Sequence, residues 1–143
     1  MILQLLPEQV VSYWDRLEPL FLEALPPRYR DEKSAVSMLR AILMEDCQVW
    51  QLVDDEDNVK AFAITEVRED RIIGVRYLFL YLLVAEEVSS ITMWRDALQA
   101  LKKYAKSKAC ISVQAVTIVD EVAHLAERLG SVGNQQLLEF GVI

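Results

Sequence analysis

The sequence predicts a mixed α/β (α+β) fold: a largely antiparallel sheet flanked by helices on both faces, in the order β-α-α-β-β-β-α-β-α-β. Three observations lead there. The first 45 residues carry apolar side chains at helical spacing. Between Gln48 and Val84 the pattern changes to β-branched, aromatic and leucine-rich runs broken by acidic turns. The helical period returns at Ser89 and ends in the cationic stretch "KKYAKSK", which suits a helix carboxyl end.

In chain order, Ile2–Leu6 reads as a short first strand, and Pro7 suits the first turn of a helix. Val10, Trp14, Leu17, Phe21 and Leu25 recur at spacings of three and four, one apolar face. Pro19 interrupts that face, so a kink or two short helices are expected there. "LPPRYRDE" is a loop. Asp31 caps a second helix that buries Ala35, Val36, Leu39, Ile42 and Leu43. Gln48–Val53, Val59–Arg68 and Arg71–Val84 then form an antiparallel meander joined by "DDEDN" and "ED". Its third run is apolar at nearly every position, as in a strand covered on both faces. Ile91, Trp94, Leu98, Leu101 and Ala105 line a long helix. Ala109–Val116 is a strand, and Asp120 opens a helix that ends near Gly130. Gln136–Ile143 is expected to close the sheet as a last strand.

The composition narrows the function classes. At 143 residues and 53% hydrophobic, the chain suits one domain, 1–143, with no linker or repeat. Fifteen basic residues against 22 acidic give a net charge of −7. That field disfavours nonspecific nucleic-acid or anionic-membrane binding. Cys47 and Cys110 form no CxxC pair and read as reduced, buried thiols of a cytoplasmic protein. No apolar run reaches the roughly 18–20 residues of a membrane helix, and the amino terminus lacks the basic start of a signal peptide.

The element order, with "GVRYLFLYLLV" leading through a helix to "CISVQAV", resembles the Gcn5-related N-acetyltransferase (GNAT) fold. More narrowly, the chain looks like a group of small bacteriophage-encoded GNAT-like proteins. The likeness spans nearly the whole chain. It rests on "VVSYWDRLEPLFLEAL", on "MEDCQVWQLVDD" followed by "VKAFAITEV", and on "MWRDALQALKKYAKSKAC". That group often carries a "GR-x-GW"-like segment, whereas "VQAVTIVDEVAHLAERLG" keeps only its later helix and Leu-Gly.

The resemblance implies a cofactor mouth after "YLFLYLLV". In acetyltransferases of this fold, the matching strand splays from its neighbour and offers main-chain groups to the pantetheine arm of acetyl-CoA. A Gln/Arg-x-x-Gly-x-Gly/Ala loop then cradles the pyrophosphate at a helix start, where glycine lets the backbone approach and the helix dipole favours the charge. Here the loop reads "VAEEVSSITMW", with no glycine from Val75 to Lys108. Glu86 and Glu87 stand where phosphate would arrive, and carboxylates within about 6 Å repel it. If acetyl-CoA binds, Leu82, Val84, Ser89 and Ser90 are the cofactor-binding candidates, and Glu66 is the candidate base.

Other chemistry is sparse. His124 is the only histidine, with Asp120 and Glu127 as neighbours on its helix. Asp54–Asp57 lacks the alternating ligands and terminal Glu of a calcium loop and reads as a hairpin turn. Tyr77, Tyr81 and Tyr104 are candidate acids, since enzymes of this fold often use a tyrosine to protonate the leaving thiolate; packing is the expected role of all three. Trp14, Trp50 and Trp94 are expected as core anchors. No catalytic constellation and no metal-ligand cluster is expected. The leading expectation is a degenerate, non-catalytic GNAT-like phage or prophage protein. It would act through a protein partner or self-association, in the virion or the host cytoplasm, with Leu137–Ile143 as an edge able to pair with a neighbour. The alternatives are an active acetyl-CoA-dependent N-acetyltransferase, and an acidic inhibitor or nucleic-acid mimic with its carboxylates on one face.

Overall fold

A computed structural model describes residues 1–85, 90–117, 120–133 and 137–142. The chain runs β1 (Ile2–Leu5), α1 (Pro7–Ser12), α2 (Trp14–Ala24), a 3-10 turn (Pro27–Tyr29) and α3 (Glu32–Leu43). It continues with β2 (Gln48–Val53), β3 (Val59–Asp70), β4 (Val75–Ala85), α4 (Ile91–Ser107), β5 (Val113–Ala115) and α5 (Asp120–Arg128). The five strands lie in the order β1-β2-β3-β4-β5. The first four are antiparallel, and β5 returns parallel to β4 after the α4 crossover.

Alternation along the strands sends side chains to two cores. Val49, Ile64 and Leu82 meet Val10, Leu17, Phe21, Leu25 and Ile42 from α1, α2, α3 and the α2 end. Trp50, Ala63 and Leu78 meet Leu101 and Ala105 of α4 on the opposite face. Farther along that face, Leu52 and Ala61 meet Trp94 and Ala97, with Leu125 of α5 and Leu129 just after it against them. Burying apolar surface on both faces is the main stabilising term. One polar chain crosses the α4 side: the Trp50 indole N–H donates to the Thr65 hydroxyl at 2.8 Å, which donates to Gln48 Oε1 at 2.9 Å. Tyr104 packs edge-on against Trp50, and burial, with Cys110 nearby, raises its phenol pKa.

Several elements differ from their sequence reading. The first helix does divide in two, but at Tyr13 rather than Pro19. Pro19 lies on the exposed side of α2, where water can take the Asp15 carbonyl that proline leaves without a donor. Asp31 caps α3 as expected, accepting from the Ser34 N–H at 2.7 Å, and this bond holds its carboxyl below the ordinary range. "RIIG" is the β3–β4 turn and not the start of a strand. The Asp70 carboxylate accepts from the Ile72 and Ile73 N–H groups, and Gly74 takes φ +70°. The β-branched pair Ile72–Ile73 suggested a strand, yet Ile72 is 97% exposed.

The strand expected over Ala109–Val116 shortens because Ala109, at φ +59°, closes α4 by returning the Cys110 N–H to the Ala105 carbonyl. The closing strand expected over Gln136–Ile143 is absent from the described residues 137–142, which are irregular and exposed. A strand needs a hydrogen-bonding neighbour, and this segment instead makes an ion pair from Glu139 to Arg28 of the 3-10 turn. No described helix is long and apolar enough to cross a membrane.

Candidate functional site

The pairing of β3 with β4 slips by one residue in the middle of the sheet. Thr65 faces Leu80 and Ile64 faces Leu82, so Tyr81 is an extra residue in β4, a bulge. The extra residue reverses which side chains face which helices. Before it, Leu78 and Leu80 point to the α4 side. After it, Leu82 and Val84 point to the α1–α3 side and Leu83 to α4. Bulges bend the strand and sharpen its twist.

The other edge of β4 parts from its neighbour at the same place. Leu78, Phe79 and Leu80 pair with Val113, Gln114 and Ala115, and β5 ends there. Tyr81–Ala85 run on beside β3 alone among the described residues. The result is an opening between two parallel strands at the carboxyl end of β4, flanked by main-chain N–H and C=O groups that β5 does not satisfy. A strand with one open side is a ready template for an extended, amide-bearing ligand.

Two helices border this end of the sheet. α4 begins at Ile91 and lays its first turns, through Trp94 and Ala97, on Leu52 and Ala61. Its N-cap, Ser90, is extended, and its side chain does not bond back to the helix. No acidic residue occupies the described first turn, so the leading amides keep their positive field. The buried Trp94 indole N–H has no partner among the described residues, a second unused donor at this end. α5 and the residue after it complete the border through Leu125 and Leu129.

The sequence-predicted residues distribute unevenly around this opening. Leu82 is 5% exposed and Val84 half-buried, both packed in the α1–α3 core, so only their main chains can serve a ligand. Ser90 stands at the α4 start, while Glu86, Glu87 and Ser89 lie outside the described residues. Tyr81, expected to pack, is instead 47% exposed at the bulge. Tyr77 is half-buried and Tyr104 belongs to the Trp50 cluster. Glu66, across from Phe79, already accepts a 3.0 Å hydrogen bond from Arg68 Nε, and the Arg68 guanidinium lies over the Phe79 ring. Its carboxylate is thus already engaged by a neighbour on its own strand. His124 is exposed on α5. Trp50 and Trp94 are core residues and Trp14 packs partly buried against Phe21.

Sequence reasoning missed the bulge itself. Its only trace is that apolar residues continue on both phases of "LFLYLLV", the pattern a phase reversal leaves.

Other features lie elsewhere. Two open depressions, of about 570 and 510 Å³, lie at the far end of the sheet, one beside Leu6, Val11 and Leu43 and the other beside Gln48, Val67, Arg76 and Lys108, and neither is lined by an opening residue. Cys47 borders the second, and burial, with Glu66 and Asp46 nearby, pushes its thiol up to about 11. The acidic turns do not converge. Asp54–Asp57 precede β3 and Glu69–Asp70 end it, and 12 residues at about 3.3 Å each separate them by nearly 40 Å. Asp54 is occupied in closing its own hairpin, accepting from the Glu56 and Asn58 N–H groups.

Compared with known proteins, the chain matches no family model and no curated sequence. Solved structures do match over its whole length. A probable acetyltransferase is 20% identical, with 100% of this chain and 97% of that one covered and a TM-score of 0.70. An aminoglycoside N-acetyltransferase in complex with CoA is 13% identical, with coverages of 99% and 93% and a TM-score of 0.72. A ribosomal-protein-alanine N-acetyltransferase from Brucella melitensis biovar Abortus 2308 is 12% identical, with coverages of 98% and 99% and a TM-score of 0.65. The chain therefore has the GNAT fold.

Proposed function

We propose that this chain binds an acyl-CoA thioester along the open side of Tyr81–Ala85 and transfers the acyl group to an amine. The observation that carries this reading is the coincidence of the β4 bulge with the end of β4–β5 pairing. An unpaired main-chain edge beside a helix start is what an extended, amide-bearing thioester arm needs. The residues present suit the pantetheine arm, whose amides need main-chain donors and acceptors and no particular side chain. When bound, acetyl-CoA supplies an activated acyl group. The amine forms the C–N bond as the C–S bond breaks, and the proton lost by nitrogen balances the thiolate released. Tyr81, exposed at the bulge, is our candidate to protonate that thiolate.

The glycine-free, acidic junction at Glu86 and Glu87 makes the phosphates contribute little. Calorimetric titration with acetyl-CoA, free CoA and acetyl-pantetheine tests this directly. We expect acetyl-pantetheine to bind within about tenfold of acetyl-CoA, and thiol release on adding amines. No binding of any of the three at millimolar concentration would end the proposal.

The same junction favours a second reading, a GNAT-fold scaffold of a phage or prophage that works through a protein partner in the virion or host. In that case neither thioester binds and no thiol is released.

A further inference from the structure

The second depression, of about 510 Å³, collects charge of both signs at the end of the sheet away from Tyr81–Ala85. Glu45 and Asp46 line it from the turn between α3 and β2, Arg76 from the start of β4, and Lys108 from the end of α4. All four residues are exposed. Among the described residues none of them forms an ion pair, with one another or with a third group. Two carboxylates and two cations thus share one depression and stay beyond pairing distance.

The backbone fixes where these charges stand. α3 ends in a closed turn: Glu45 takes φ +58°, its N–H donates to the Ile42 carbonyl at 3.1 Å, and the Asp46 N–H donates to the Ala41 carbonyl at 2.9 Å. The Arg76 carbonyl accepts from the Ile111 N–H at 2.8 Å, which ties the start of β4 to the chain leaving α4. Lys108 Nζ lies 5.6 Å from the centre of the Tyr104 ring.

Gln48 adds a directed donor. The Trp50 indole can only donate, so the Thr65 hydroxyl that accepts from it sends its single proton to Gln48 Oε1. That decides which end of the Gln48 carboxamide faces Thr65. The Nε2 hydrogens are left without a partner among the described residues, on a side chain that lines the depression.

We propose that this depression binds a small zwitterion with the chemistry of an amino acid or a dipeptide. Its carboxylate takes Arg76, Lys108 and the Gln48 amide, and its ammonium takes Glu45 and Asp46. The four protein charges sum to zero, so a simple anion or cation loses to one pair what it gains from the other. A zwitterion gains from both. The volume is within the roughly 300–1,000 Å³ of small-molecule sites. The site lies at the opposite end of the sheet from the β4 opening and is independent of whether that opening binds a thioester.

Amide NMR titration of the full chain with glycine, diglycine, acetate and methylamine reads the outcome. At least one of the two zwitterions should shift the Asp46, Gln48, Arg76 and Lys108 amides and saturate in the millimolar range, and the tighter of the two tells a free amino acid from a peptide. Acetate and methylamine, with one charge each, should bind at least about tenfold more weakly. Arg76→Gln and Asp46→Asn should each weaken the zwitterion by about tenfold. Both side chains are exposed, so circular dichroism should not change. Asp46→Asn should at the same time tighten acetate, because a repelling carboxylate is gone; a general loss of structure would weaken both. No saturable shift from either zwitterion up to about 50 mM would overturn the proposal. So would acetate or methylamine binding as tightly, indifference to both variants, or shifts confined to Tyr81–Ala85.

Discussion

From Leu78 to Leu80, β4 is held by β3 on one side and β5 on the other; from Tyr81 to Ala85 it has β3 alone. Both halves are equally apolar in sequence, yet only one is finished by the fold. Leu78 is fully buried, and its N–H donates to the Ser112 carbonyl at 2.9 Å. Three residues on, Tyr81 is pushed out of register and nearly half exposed. Hydrophobicity alone thus says little about which part of a strand builds the core and which part is left to act. What separates the halves is one inserted residue, at the point where pairing with the parallel neighbour ends.

The largest test of the contrast pairs two truncations. Leu78→Ala should destabilise the fold by about 2–5 kcal/mol, because a buried leucine leaves a cavity. Tyr81→Ala should stay within about 0.5–1 kcal/mol, as for a surface change. Urea unfolding measures both, and equal losses would erase the distinction between the halves.

Thr65 faces Leu80 at the boundary, fully buried. Thr65→Val keeps its shape but removes the acceptor of the Trp50 indole N–H. Leaving that donor buried and unpaired should cost about 1–3 kcal/mol. A neutral effect would mean that the polar chain does not hold the boundary.

The smallest effect concerns the closed end, where Cys47 is kept inert. Its thiol rises from the ordinary 9.0 to about 11 through burial and the neighbouring Glu66 and Asp46 carboxylates. A raised thiol pKa means the folded state holds the proton longer than the unfolded chain. Its contribution is therefore complete below pH 9 and is lost as pH climbs towards about 11. Melting curves across that window should show the decline, and Cys47→Ala should flatten it. Alkylation of Cys47 at neutral pH should likewise be slow until the chain unfolds.

Much of this was legible in the residues. Helical spacing at Val10, Leu17 and Phe21, the Asp31 cap and the acidic "DDEDN" turn all act locally, so the sequence displays them. The likeness of "YLFLYLLV" to a splayed acetyltransferase strand points to β4, the strand whose pairing with β5 stops at Leu80. The bulge was hidden because it is a relation between two strands: only pairing to Ile64 and Thr65 makes Tyr81 the odd residue. The turn at "RIIG" was masked by two isoleucines whose β-branching suggested a strand, though the Asp70 carboxylate and Gly74 decide the local geometry. Leu82 and Val84 are candidates for their main-chain groups, and the structure turns both side chains into the α1–α3 core. The carboxyl-terminal alternation suggests a strand, and residues 137–142 have no strand partner among the described residues.

Amide hydrogen exchange along β4, with and without saturating acetyl-CoA, tests the central claim most directly. Leu78–Leu80 should be protected in both conditions, because the fold already pairs them on both sides. Amides within Tyr81–Ala85 that β3 does not hold should exchange quickly alone and slow down when the thioester is present. Unchanged exchange over Tyr81–Ala85 at millimolar acetyl-CoA, or protection confined to another part of the sheet, would contradict a cofactor site built from the open half of β4.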